Sequence, residues 1–283
     1  MFPLLLVLST LGITVQQIAK KAYNNKIKGG TFTFTALSII FSLLVFFVTS
    51  GGELNFSTEL LPYCLSFASA YLAACVFSFM ALNAGPISIT TLIMQYSLII
   101  PTFYGIIFLK ESAKPLLFVG IGLLLTSLLL VNLEGKKSDK KLSLRWGILA
   151  LLSFVGNGVC STVQKVQQIN MQGEFKSEFM IIALLISGLV IGVCAITFEH
   201  KDITKKVTTG AHWYIICGLC NGLVNLFVLI LSAWPASIVF PVISAGGILT
   251  TAAIGVFIYK EKLSVQQIIG MILGTASIVF LNL

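Results

Sequence analysis

Long apolar runs separated by short polar breaks set the pattern of this chain. Ten runs lack a strong helix breaker: residues 1–19, 32–50, 60–82, 86–109, 115–133, 146–164, 179–198, 213–233, 236–259 and 264–283. A helix needs roughly 20 apolar residues to cross the hydrocarbon of a bilayer, and each run reaches about that length. The runs do not alternate apolar and polar positions as barrel strands do. Lipid offers backbone groups no water to bond, so each segment must satisfy its own, which a helix does. The pattern therefore predicts an all-α integral membrane protein with ten transmembrane helices. The first run has no basic residue before it, and Lys20 and Lys21 follow it. It reads as a spanning helix rather than a cleaved leader.

The two halves of the pattern resemble each other. Leu109-Lys110-Glu111 and Tyr259-Lys260-Glu261 each precede an apolar run. The same spacing also pairs Gly120 with Gly270, Ser127 with Ser277, and Asn132-Leu133 with Asn282-Leu283. Near the other end, Thr14-Val15-Gln16 matches Thr162-Val163-Gln164. Chance likeness between apolar helices accounts for scattered leucines, but not for Lys-Glu and Asn-Leu pairs in register. The chain reads as a five-helix repeat over residues 1–133, a basic connecting loop over 134–144, and a second five-helix repeat over 145–283. A unit with an odd number of spans points the opposite way in its second copy. The expected fold is two inverted five-helix repeats, an arrangement that places a binding site near the midplane between the halves.

Composition sharpens this picture. The chain is 57% hydrophobic and 10% charged, with a mean hydropathy of +1.00, too few charges to cover a water-facing surface. The net charge of +8 lies in short loops rather than on one face, so nucleic acid is not an expected partner. Fourteen of the eighteen basic residues fall in the odd-numbered loops and three in the even-numbered ones. That bias predicts odd loops in the cytoplasm and both termini outside. Trp146, Trp213 and Trp234 stand at span ends, where interfacial aromatics are expected. Cys64, Cys75, Cys160, Cys194, Cys217 and Cys220 all lie in apolar runs without a CxxC pair and read as small packing residues.

On these grounds the chain resembles the drug/metabolite transporter superfamily, specifically the EamA-like permeases. The likeness lies in ten spans, two five-span halves, and a short charged loop before the last span of each half. These loops read Lys110-Glu111-Ser112-Ala113-Lys114 and Lys260-Glu261-Lys262. The resemblance implies that spans one to four and six to nine surround a central cavity while the fifth and tenth pack outside. It also implies a place in the cytoplasmic membrane of a bacterium.

Polar residues inside spans are the candidates for chemistry, because an unsatisfied polar group in hydrocarbon is costly. Asn157, Ser161, Gln164, Lys165 and Gln168 recur every three or four residues and share one face of span six. Cys217, Asn221 and Asn225 form a stripe on span eight. Ser88, Thr91, Gln95 and Thr102, with Tyr96 beside Gln95, form one on span four. Thr14, Gln16 and Gln17 come from span one and Tyr71 from span three. The substrate candidates are Gln16, Tyr71, Gln95, Tyr96, Asn157, Ser161, Gln164, Lys165, Asn221 and Asn225. Helix-to-helix hydrogen bonding is the competing use of such residues. Lys165 either snorkels to the interface or faces the cavity. Pro101, Pro241 and Gly246-Gly247 mark points where spans four and nine can bend, as hinges or as fixed kinks. Gly270 and Gly274 suit close packing of span ten, either within the chain or in a homodimer.

All ten acidic residues lie in loops or at span ends, so coupling through a buried glutamate is not expected. His200 and His212 have no metal-ligand partners at useful spacing. No enzyme, metal or cofactor chemistry is predicted. The sequence points to a secondary transporter of a small polar, zwitterionic or anionic metabolite, working by alternating access. A non-transporting membrane scaffold is the alternative.

Overall fold

The computed structural model describes residues 2–27, 29–52, 54–110, 115–116, 119–120, 122–123, 126–127, 130, 143–201, 203–260 and 263–280. The predicted loop over 134–144 lies almost entirely outside them, as do the Asn132-Leu133 and Asn282-Leu283 pairs and Glu111 and Glu261. Among the described residues the chain is all helical, with no strand. In chain order the helices are α1 (Phe2–Lys26), α2 (Thr31–Thr49), α3 (Leu61–Ala84), α4 (Ile87–Gln95), α5 (Ile99–Ile107), α6 (Leu144–Asn170), α7 (Lys176–Glu199), α8 (Ile203–Thr209), α9 (Ala211–Leu231), α10 (Ala236–Phe257) and α11 (Val265–Phe280). A 3-10 turn, Thr58–Leu60, leads into α3, and another, Tyr96–Leu98, joins α4 to α5. Seven of the helical stretches are long and apolar enough to cross a membrane, counting α4 to α5 as one; α10 and α11 contain shorter apolar stretches. Helical residues from 116 to 130 belong to the predicted fifth span.

Several helices run past the ends that hydropathy predicts. Apolar content falls after residue 19, yet α1 continues to Lys26, and α6 continues past residue 164 to Asn170. A helix keeps its hydrogen-bond ladder where its apolar run stops. Lys20, Lys21 and Lys165 are therefore helical side chains with fixed directions, not loop charges.

Packing closes a ring. Going round, α1 packs on α9, α9 on α2, α2 on α7, α7 on α3, α3 on α6, α6 on the α4–α5 segment, that segment on α10, and α10 on α1. Helix α11 packs outside, on α10. Glycine permits the closest approaches. A side chain at Gly156 of α6 would meet the backbone of α3, at Ala74 N (2.7 Å) and Ala70 O (2.9 Å). Gly218 and Gly222 of α9 lie against Ser38, Ser42 and Val45 of α2 in the same way. The outward faces carry the opposite chemistry: Leu189, Val193 and Ile196 of α7 are exposed and apolar, as lipid requires.

Helix ends inside the molecule are satisfied by side chains. Glu199, the last residue of α7, accepts from the N–H groups of Phe32 (3.1 Å) and Thr33 (2.8 Å) and from Thr33 Oγ1 (2.8 Å), at the positive end of α2. Ser143 accepts from Trp146 N at 3.1 Å and opens α6. The 3-10 turn at Tyr96–Leu98 follows from Pro101: proline has no N–H for the carbonyl of Ser97, so the ladder lapses one turn before it. That carbonyl faces Gly158 of α6.

Candidate functional site

The ring encloses a cavity with about 900 Å³ of empty volume, counting the part open to solvent. It lies at mid-length of the helices: Asn157 is the central residue of α6 and Asn221 that of α9. Eight of the ten predicted residues line it, namely Gln16, Tyr71, Gln95, Asn157, Ser161, Gln164, Asn221 and Asn225. Helical spacing brings each stripe to one face, and the ring turns these faces inward.

Asn221 is the hub of the polar lining. Its Nδ2 donates to Gln16 Oε1 at 3.0 Å. Its Oδ1 accepts from Tyr71 OH at 2.6 Å and Asn225 Nδ2 at 3.2 Å. Ser42 Oγ of α2 also lies 3.2 Å from this oxygen, and 2.8 Å from the carbonyl of Gly218. Asn225 Oδ1 then accepts from Gln164 Nε2 at 2.9 Å. Groups from α1, α3, α9 and α6 thus form one connected chain across the wall. Asn157 donates to Ser153 Oγ at 3.3 Å on its own helix.

Not every polar group is consumed. Gln17 and Gln95 line the cavity and are buried, and their inaccessible Oε1 and Nε2 atoms have no hydrogen-bond partner among the described residues. Gln95 lies so close to Gly247 of α10 that any side chain there would collide with it. Gly246 makes a like approach to Thr10 of α1. The paired glycines thus let these side chains lie close against α10, and α10 continues unbroken through Pro241.

Two predicted residues lie elsewhere. Tyr96 pairs its hydroxyl with Ser127 Oγ at 2.6 Å, behind the cavity wall. Lys165 neither snorkels nor lines the cavity. It is 6% exposed, and its ammonium donates to the carbonyls of Ser232 (2.8 Å) and Trp234 (2.9 Å) at the C-terminal end of α9. A cation on the last carbonyls of a helix satisfies acceptors that lack intrahelical partners. Lys21 does the same at the end of α3, donating to Leu82 O and Gly85 O, both at 2.9 Å.

The prediction for Trp146 is corrected: it is buried, packs on Gly85, and donates its indole N–H to Thr90 Oγ1 at 3.0 Å. Trp234, half exposed and packed against the Phe2 ring, fits the interfacial role better. All six cysteines are free, and Cys75 and Cys160 line the cavity in addition to packing. The glycines of α11 face inward: Gly270 O accepts from Ser127 Oγ, and Gly274 abuts Tyr96 and Ser127.

Lys20 is a lining residue that sequence reasoning missed, as are Ser78 and Ser97. Hydropathy ends before Lys20 and places it in the first loop, whereas α1 carries it into the cavity wall. Its spacing of three and four residues from Gln17 and Gln16 was the available signal.

Known proteins resemble this chain in sequence and in fold. Residues 141–283 match the EamA-like transporter family. The chain is 28% identical over 204 residues to the glucose uptake protein GlcU of Bacillus subtilis (strain 168), an alignment covering 66% of this chain and 65% of that protein. The match thus spans just under two thirds of the relative's length. A crystal structure of another protein superposes with a TM-score of 0.72 at 13% identity, covering 99% of this chain and 98% of the other, which establishes a shared fold.

Proposed function

Because this chain belongs to the EamA-like transporter family, we propose that it is a secondary carrier moving a small polar metabolite across a bilayer by alternating access. The observation that carries this reading is the mid-length cavity walled by the amides of Gln16, Gln95, Asn157, Gln164, Asn221 and Asn225. Amides both donate and accept, so they match a ligand with several hydroxyl or amino groups. Resemblance to a glucose uptake protein favours a hydroxyl-rich molecule. A scaffold needs no hollow at its centre, and the open volume beside these amides weighs against that alternative.

The mechanism rests on an inverted duplication of ten spans, and three observations support one. Exchanging the halves maps the helix ring onto itself, since α1–α9 becomes α6–α3 while α2–α7 and the α4–α10 contact map to themselves. Lys110 and Lys260 both adopt positive φ, 54° and 51°. The hydrogen bonds closing the helices before them also correspond: Phe108 and Leu109 both bond Tyr104 O, as Ile258 and Tyr259 both bond Ile254 O.

Counterflow in proteoliposomes tests the reading, using labelled hexoses, amino acids and organic acids. Saturable exchange of at least one class is expected, with loss of most of the rate in Asn221→Leu, which removes the hub of the polar wall. Folded, reconstituted protein that exchanges none of these classes would remove the carrier reading.

A further inference from the structure

Lys20 is the one charged side chain among the described residues that line the cavity, and no carboxylate among them faces it. It follows Gln16 and Gln17 by one helical turn, so α1 presents all three on a single face. Its ammonium donates to Ser78 Oγ at 2.9 Å, and Ser78 in turn donates to Cys75 O at 3.1 Å. A lysine has three N–H bonds to give, and a neutral hydroxyl takes one without balancing the charge. Its neighbour Lys21 points to the end of α3, so adjacent lysines have separate tasks. A cation on a wall of otherwise neutral groups raises the local concentration of anions and repels cations.

We infer that Lys20 is the anion-binding group of this cavity, so that the molecule carried bears a carboxylate or phosphate as well as hydroxyl groups. The ammonium takes the anionic oxygens, and the amides of Gln16, Asn157 and Asn221 take the neutral part. This assignment rests on the carrier reading above and narrows its substrate class.

The test is equilibrium binding to purified full-length protein with three matched probes: a neutral hexose, the corresponding hexonate, and the hexose 6-phosphate. Wild type is expected to bind one of the two anions at least about tenfold more tightly than the neutral hexose. Whichever anion prevails distinguishes carboxylate from phosphate. Lys20→Met should abolish the preference for the anion over the neutral hexose, while Lys20→Arg should retain it. Added salt should weaken anion binding to wild type selectively, a measurement that stands even where Lys20→Met fails to fold. The inference is overturned where the neutral hexose binds as well as both anions, where the preference survives Lys20→Met, where it ignores salt, or where none of the three binds. Exchange in the counterflow assay, lost in Asn221→Leu, would then leave the carrier reading standing without it.

Discussion

At the scale of single residues, three lysines within helices have been given different work by where their helices pack. Lys20 faces the cavity, whereas Lys21 and Lys165 close the ends of α3 and α9. Each of the latter two sits beside a break where proline starts the next helix, Pro86 before α4 and Pro235 before α10. Carbonyls freed at these breaks lack partners within their helices, and the lysine ammonium supplies them. Lys165→Met is expected to destabilise the protein by about 1–3 kcal/mol, the cost of leaving such buried acceptors unmet. Ligand affinity should stay unchanged. Thermal unfolding in detergent together with binding measurements checks both halves. An unaltered melting temperature with lost binding of acidic ligands would move Lys165 into the site.

At the scale of helices, close approach rather than polarity sets which residues are irreplaceable. Gly156 of α6 lies against the backbone of α3, which cannot yield as a side chain can. Gly156→Ala should therefore force the two helices apart and cost about 1–3 kcal/mol, as overpacking does. Gly192 of α7 has nothing among the described residues within 4 Å of where its side chain would stand. Gly192→Ala should be neutral, or stabilising by about 0.4–1 kcal/mol through lower freedom of the unfolded chain. Melting curves of the two variants side by side give the comparison, and equal effects would refute this account of the α3–α6 contact. Gly246 and Gly247 meet the side chains of Thr10 and Gln95 instead, which can shift where the α3 backbone cannot. Pro101, in contrast, alters its helix, through the 3-10 turn that precedes it.

At the scale of the whole molecule, the ring of helices makes a hollow out of faces that would otherwise seek lipid partners or one another. The proposed inversion of the halves predicts a definite topology. Tags at the two termini should be accessible from outside, and a tag between residues 131 and 142 from the cytoplasm. Protease or reporter accessibility in whole cells reads this directly. Finding all three on one side would end the inverted-repeat reading, and the symmetry of the ring would need another cause.

Much of this was legible in the chain itself. Run length and charge placement follow from what lipid tolerates, so membrane helices and their order could be read without a structure. Helical spacing alone grouped Asn157 with Ser161 and Gln164, and Asn221 with Asn225, because a side chain's face depends only on its place in the turn. What a side chain on that face meets depends on a neighbouring helix distant in sequence. Only packing turned Lys20 inward and Lys165 onto α9, hid Trp146 against Gly85, and took Tyr96 away from the cavity to Ser127. Direction along a helix is local physics; the partner found there is a property of the assembled ring.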